Sequence, residues 1–432
     1  MEALRVPLLA QLSAHLLLHI ALLIPPSTLS QKQLALSFLP AIWAINIYTW
    51  TAGFGFLAIA QSLWALELLG VRRVREEFSC LRYQRIAAKK VKIESRVEEK
   101  KTSEKQKLKE GITKEPYPST LWPRIFWVAN LICSLRYTSW QTTSSTSLPP
   151  SKPPKRIPFL THLFLHTTLY LLLIDAISLY THFDPYFQIS TPISEPFPRR
   201  LRTFLSLYHL HHIPPQLVRI LIVGGQQYAV FSLLTTIPAI FFVGLGALGV
   251  VGDFWGGTMG WRAGVGNLSL GTAVVRRGLR GFWGEGWVQY LRVILTGPGK
   301  ALTKQLGLPE RGLRAYSLRV VIAFGISSFL HVSTLPSSSN PAFLGLKPLR
   351  YAAFFWVQGA LVVGEAVASH LLERVYPRSS RGGLAKAGLS VVRLVWVIGV
   401  MYWTAPLIVD EMTKASRAFG LRQPVLFKLP ES

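Results

Sequence analysis

Cysteine is almost absent from this chain of 432 residues. Only Cys80 and Cys133 occur, too few for a disulfide framework or a cysteine-rich metal cage. Acidic residues are also scarce, 21 Asp plus Glu against 47 Lys plus Arg, for a formal charge of +26. No polar stretch carries enough periodic apolar residues to close a core of its own, and no internal repeat is visible. A separate soluble domain and a repeat array are therefore both excluded. In a soluble chain the basic balance would indicate nucleic acid. It has another cause here, because half of the residues are hydrophobic and they are gathered into long blocks.

A helix needs roughly 20 apolar residues to cross a hydrocarbon core of about 30 Å. Eight blocks meet or approach that length: Val6–Ile24, Leu34–Trp50, Phe54–Leu69, Pro158–Tyr180, Tyr228–Val251, Tyr316–Leu335, Tyr351–Leu372 and Leu389–Ile408. The second and third are short and fit one bent hairpin, and the first reads as a retained signal anchor. Leu121–Leu135 is interrupted by Pro123 and Arg124 and is expected to lie in the interface or to re-enter. The expected architecture is an all-α, polytopic transmembrane helical bundle of about eight spans with interfacial helices. Residues 1–70 hold the N-terminal spans, 71–157 a basic cytosolic loop and connector, and 158–432 the membrane core.

The basic residues follow the positive-inside rule. Placing the block Arg72–Lys114 in the cytosol also puts Asp253–Ala315 and Arg374–Lys386 there by alternation. Pro336–Leu349 and the tail from Asp410 then fall on the lumenal side, with Arg199, Arg200 and Arg202 as the exception. Arg72–Pro118 has few large apolar residues and is expected to be a solvated helix or a disordered loop, and the Pro-rich Gln141–Pro158 an irregular connector.

Several patterns have a plain explanation. Gly244, Gly246 and Gly249 form a GxGxxG inside an apolar span, where small residues serve close helix packing rather than a dinucleotide. The sequon Asn267-Leu268-Ser269 falls on the cytosolic side. His15 with His19 and His162 with His166 stand at i and i+4 without a carboxylate or cysteine to complete a metal site. His209, His211 and His212 read as an interfacial patch.

Two stretches carry more. In Arg280–Arg292, helical spacing puts Trp283 and Trp287 on one side with Val288 and Leu291, and Glu285, Gln289 and Arg292 on another. That predicts a helix lying in the bilayer interface. In Phe324–Ser333, His331 is an ionisable group within a span, a functional candidate by its cost alone. Ser327 and Ser328 precede it by four and three residues and share its face.

Phe282-Trp283-Gly284 with Trp287, Gln289 and Arg292, then Tyr316 and the Phe324–His331 stretch, resembles the wax synthase branch of the membrane-bound O-acyltransferases, which includes fungal enzymes acting on terpenoid and polyketide alcohols. Ser134–Trp140 is similar to a further family stretch, with Tyr137 where the family has Gly. Val288 stands where the family has His or Asn, and Glu285 and Gly286 replace neighbouring basic residues.

The resemblance implies transfer of an acyl group, acetyl by expectation, from acyl-CoA to a lipophilic alcohol in secondary metabolism, at an endoplasmic reticulum membrane. A neutral imidazole suits removal of the alcohol proton, which makes His331 the expected base. Gln289 or Ser328 would polarise the thioester carbonyl. Trp283 and Trp287 would line the substrate site, and Arg280 and Arg292, with Arg277, would meet the phosphates of CoA. Acyl-CoA is then a co-substrate, with no bound cofactor, no metal and no nucleic acid partner. The alternatives are a transporter using His331 as a proton relay, disfavoured by the scarcity of other ionisable residues in the spans, and an impaired family member serving as a scaffold.

Overall fold

A computed structural model describes residues 2–83, 112–135, 137, 140–141, 155–189, 191–209, 212–258, 261, 270–287, 291–335, 345–377 and 382–418. Its long helices are α1 (Glu2–Leu23), α2 (Gln31–Thr49), α3 (Gly55–Ala65), α4 (Leu121–Ile132), α5 (Arg156–Phe183), α6 (Arg199–Leu207), α7 (Pro215–Ala247), α8 (Leu270–Gly281), α9 (Arg292–Gln305), α10 (Leu313–Val332), α11 (Pro348–Val375), α12 (Gly383–Thr404) and α13 (Pro406–Ala418). Seven segments among the described residues are long and apolar enough to cross a membrane. One of these, Gln31–Val71, is doubled on itself, so all eight apolar blocks are accounted for.

The hairpin has identifiable causes. Ser30 and Gln33 form a reciprocal cap at the start of α2. At the tip, Gly53 adopts φ 95°, a left-handed conformation that only glycine takes without strain, within a wide turn over Trp50–Phe54. The legs are tied by Asn46 Nδ2 donating to Ser62 Oγ at 3.0 Å. The Gln31 amide donates to the Leu68 and Leu69 carbonyls at 3.1 and 2.7 Å.

Polar contacts sort the helix ends onto two faces. On one, Arg75 donates to the Ile24 and Leu29 carbonyls and Arg124 to the Leu23 carbonyl, so the end of α1 meets the basic segments that follow the hairpin and open α4. On the other, the Tyr186 hydroxyl donates to Asp410 at 2.8 Å. There too Arg350 donates to Asp410 at 3.0 Å, Arg417 to the Tyr186 carbonyl at 2.7 Å, and the Lys347 N–H to Glu411 at 2.7 Å. Burial and the adjacent Asp410 push the Tyr186 phenol well above its ordinary pKa. The buried pair Asp184–Arg219 is bidentate, at 2.9 and 2.8 Å, and the guanidinium also donates to the Ile193 and Glu195 carbonyls. The α6 helix lies on this face with no buried residue, its Arg199, Arg200 and Arg202 beside exposed Phe204 and Leu207, as an interfacial helix requires.

The segment between the hairpin and α4 differs from expectation. Ser79–Tyr83 pairs antiparallel with Ile112–Glu115 and with Trp140–Gln141, giving a three-stranded sheet where a solvated helix or disordered loop was predicted. Cys80 and Trp140 turn inward from it onto Phe78, Trp127, Val128 and Leu131, so burial of apolar side chains organises this ribbon. The α4 helix rises only about 18 Å over its 12 residues, too short to cross, and keeps Trp122 and Phe126 outward. In the GxGxxG stretch, Gly246 lies against the backbone of Gly256, in keeping with the packing role. Leu234, Leu172 and Trp403 are more than half exposed on their spans, the outward apolar surface that a bilayer covers.

Candidate active site

His331 sits in the last turn of α10, half-buried. Its ring stacks on Phe355 of α11, 4.6 Å between centroids and 12° between planes, with Tyr351 at 6.4 Å. The hairpin tip covers the other side. Phe56 lies 6.0 Å from the imidazole, Trp50 meets Phe329 edge-on at 5.4 Å, and Gly55 abuts Ser333 so closely that any side chain there would collide with its carbonyl. No hydrogen bond ties the imidazole to another described residue. Phe56, Tyr351 and Phe355 thus give the ring an aromatic surround. Ser328, one turn earlier on the same face, is buried.

The tryptophan motif approaches these rings by a different geometry from the one predicted. A continuous interfacial helix does not form. The α8 helix widens into a π turn over Phe282–Gly286, and Trp287 is extended, with φ −95° and ψ 147°. Trp287 therefore folds back to stack on Phe282 at 5.6 Å and 12°, touching Trp283 edge-on at 6.3 Å. Glycines at 281, 284 and 286 are the physical reason, since each weakens helical continuation.

Trp283 points into the bundle. It contacts Phe324 at 5.6 Å and Phe354 at 6.1 Å, and Phe354 adjoins the Phe355 that stacks on His331. Its indole N–H donates to Gln358 Oε1 at 2.9 Å. The rest of the turn is only partly buried, with Gly284 exposed. Gln358 is three residues beyond Phe355, so the motif and His331 lie about one helical turn apart along α11.

Arg280 is engaged. Its Nε donates to Glu365 Oε1 at 3.2 Å and its Nη2 to Ser369 Oγ at 2.7 Å. The same carboxylate accepts the Leu279 N–H at 2.7 Å, the Arg280 N–H at 3.3 Å and the Trp396 indole at 3.1 Å. Gly278 makes this cradle possible. Its φ of 61° breaks α8, and a Cβ there would lie 2.7 Å from the carboxylate. Arg277 pairs with Glu285. Arg292 stands apart from both, on α9, in a cluster with Arg72 and Arg319 around Lys300, beside the buried carboxylate of Glu67, which Arg72 meets at 3.3 Å. Desolvation and the charges of Arg72 and Arg292 hold the Lys300 ammonium below its ordinary pKa. Gly297 lets α9 close onto Glu67, whose Oε2 accepts no hydrogen bond.

Glu67, Asp175 and Glu365 correct the expectation that the spans hold almost no ionisable residue besides His331. Gln358 and Glu365 were missed for the same reason, although a lone amide or carboxylate inside an apolar run is the signal that marks such positions. Gln289 and Val288 lie outside the described residues, as does the sequon at 267–269. Among the described residues, no group of three His, Cys, Asp or Glu is placed to hold a metal. His15 Nδ1 lies 3.2 Å from the Gln61 amide, and the His166 ring turns back to the His162 carbonyl at 2.9 Å.

The model of the Membrane bound O-acyl transferase family matches residues 261–356. The match supports the membrane-bound O-acyltransferase family. It therefore supports acyltransferase activity in a membrane for a chain whose matched segment holds Arg280, Trp283, Trp287, Arg292, Ser328 and His331. No curated protein and no solved structure matches the chain. Outside the matched segment, Tyr137 takes φ 54°, a conformation glycine adopts freely, at the place where the resembled branch has Gly. Its ring packs between Trp64 and Phe78.

Proposed function

We propose that this protein transfers an acyl group, acetyl in the first instance, from acyl-CoA to the hydroxyl of a lipophilic alcohol such as a terpenoid or polyketide. The carrying observation is that His331, whose imidazole has no hydrogen bond to another described residue, is joined by the ring contacts of Phe355 and Phe354 to Trp283 within one family-matching segment. His331 accepts the hydroxyl proton as the alcohol oxygen attacks the thioester carbonyl. The carbon–sulfur bond then breaks and the coenzyme thiolate leaves, taking up the proton, so ester and free CoA are the products. A positioned base contributes about 10²- to 10⁴-fold, and Ser328, one turn before His331, with Gln289 by the sequence pattern, are the polar candidates for the carbonyl oxygen.

The basic face is assigned to the cytosol of an endoplasmic reticulum membrane. There the cluster of Arg292, Lys300, Arg72 and Arg319 meets the CoA phosphates, and Arg280 serves to fasten α8 to α11. Arg319 and His331 are twelve residues apart on α10, about 18 Å, a reach that suits an extended phosphopantetheine arm.

The test uses membranes containing the full chain, labelled acetyl-CoA and a panel of long-chain, terpenoid and polyketide alcohols. Wild type forms ester, and His331→Ala lowers turnover by about 10³-fold with expression unchanged. Undiminished turnover in His331→Ala removes the base assignment. No ester with any alcohol, in wild type and in Val288→His alike, favours the scaffold reading that Val288 raises.

A further inference from the structure

We infer that Gln358, outside the family-matching segment, is the positioning residue that fixes Trp283 and through it the side on which the alcohol meets His331. This rests on the acyl-transfer reading above. Gln358 is fully buried in the middle of α11, where an unpaired amide is costly. Its hydrogen bonds have a single direction. The indole of Trp283 is donor only, so the amide oxygen must face it at 2.9 Å. The amide nitrogen then faces α12, donating to Thr404 Oγ1 at 2.7 Å with Met401 sulfur at 3.9 Å. Thr404, left as acceptor, sends its own proton to the Val400 carbonyl at 2.6 Å. The relay leaves neither the amide nor the indole free to flip.

Its consequence reaches the reacting groups through packing. Gly359, next to Gln358, makes room for Phe324, which a Cβ there would meet at 3.0 Å, and Phe324 and Phe354 close on the Trp283 ring. One turn along α11, Phe355 carries the His331 stack. Rotation of the Trp283 indole would open the wall between the motif and the imidazole. The phosphate end of the donor, at the cation cluster on α9, would not be touched.

The experiment compares Gln358→Met, which keeps the volume and loses both hydrogen bonds, with Gln358→Glu, which as a neutral acid accepts from Trp283 and donates to Thr404. Farnesol and hexadecanol serve as acceptors. For whichever is turned over, Gln358→Met raises the acceptor KM about tenfold, with the acetyl-CoA KM within about twofold, and Gln358→Glu restores it to within about threefold. In a Trp283→Phe background, Gln358→Met causes no further loss. A readout independent of turnover is the fluorine resonance of Trp283 in detergent-solubilised protein labelled with 5-fluorotryptophan. It is assigned by its loss in Trp283→Phe and is displaced in Gln358→Met and in Thr404→Val. An unchanged acceptor KM in Gln358→Met, additive losses with Trp283→Phe, or an unmoved resonance each overturns the inference. Wild type that esterifies no alcohol, while the resonance still moves, overturns the acyl-transfer reading instead.

Discussion

Glu365 is the most sensitive point of the framework that holds the tryptophan motif, and Glu365→Gln puts a number on it. Each carboxylate oxygen accepts two donors, Leu279 N–H and Trp396 Nε1–H on one, Arg280 N–H and Nε–H on the other. An amide has one acceptor oxygen, so either orientation turns its NH2 against two N–H donors, and the negative charge opposite Arg280 is lost. Removing one partner of a buried pair costs about 3–5 kcal/mol. The Arg280 side chain is 26% exposed, so water recovers part of this and the low end, about 3 kcal/mol, applies. At roughly 2 °C per kcal/mol for a chain this large, the apparent melting temperature falls by about 6 °C. The assay is thermal unfolding of the detergent-solubilised full chain followed by size exclusion, with Arg374→Gln at the exposed end of the same helix as control, expected within about 1 °C of wild type. A Glu365→Gln protein that melts with wild type would refute the claim that this carboxylate fastens α8 to α11.

Two further outcomes follow from other charge clusters. Arg292→Gln and Lys300→Gln each raise the KM for acyl-CoA about five- to tenfold with kcat little changed, and the wild-type KM rises with salt. Kinetics at two ionic strengths would contradict the phosphate assignment if the KM stayed constant. Asp184→Asn leaves the Arg219 guanidinium buried without its carboxylate and costs about 3–5 kcal/mol, read as lost yield and a lowered melting temperature; wild-type stability would show that the Ile193 and Glu195 carbonyls alone satisfy it.

The membrane architecture was legible because span length and the crowding of basic residues are one-dimensional signals, and even the hairpin declared itself in two short apolar blocks joined near Gly53. The sheet did not. Its strands are two to five residues long, and what orders Ser79–Tyr83 is burial of Cys80 beside Trp127 and Trp140, partners 47 and 60 positions away. The error over the tryptophan motif came from extending helical spacing through Gly281, Gly284 and Gly286, a run whose composition argues against a helix. Arg280 was legible as a cation. Its partner Glu365, 85 residues on, was not, and that pairing decides whether the guanidinium serves a ligand or the fold.

The segment that matches the family is not self-sufficient. Trp283 is held by Gln358 and, through it, Thr404; Arg280 is held by Glu365; and the His331 ring is covered by Phe56 from the hairpin. All four supporting residues lie outside 261–356, on three different spans. Chemistry and shape are therefore separable in this chain. Under the acyl transfer proposed above, changes at His331 strike the reacting groups directly. Changes on the hairpin tip, α11 or α12 alter the packing around Trp283 and the imidazole, and under the same proposal a misplacement of about 1 Å there costs on the order of 10²-fold in rate. Substitutions at Phe56, Gln358 and Thr404 should therefore change the surroundings of His331 and Trp283 while leaving the imidazole itself and the cation cluster on α9 in place.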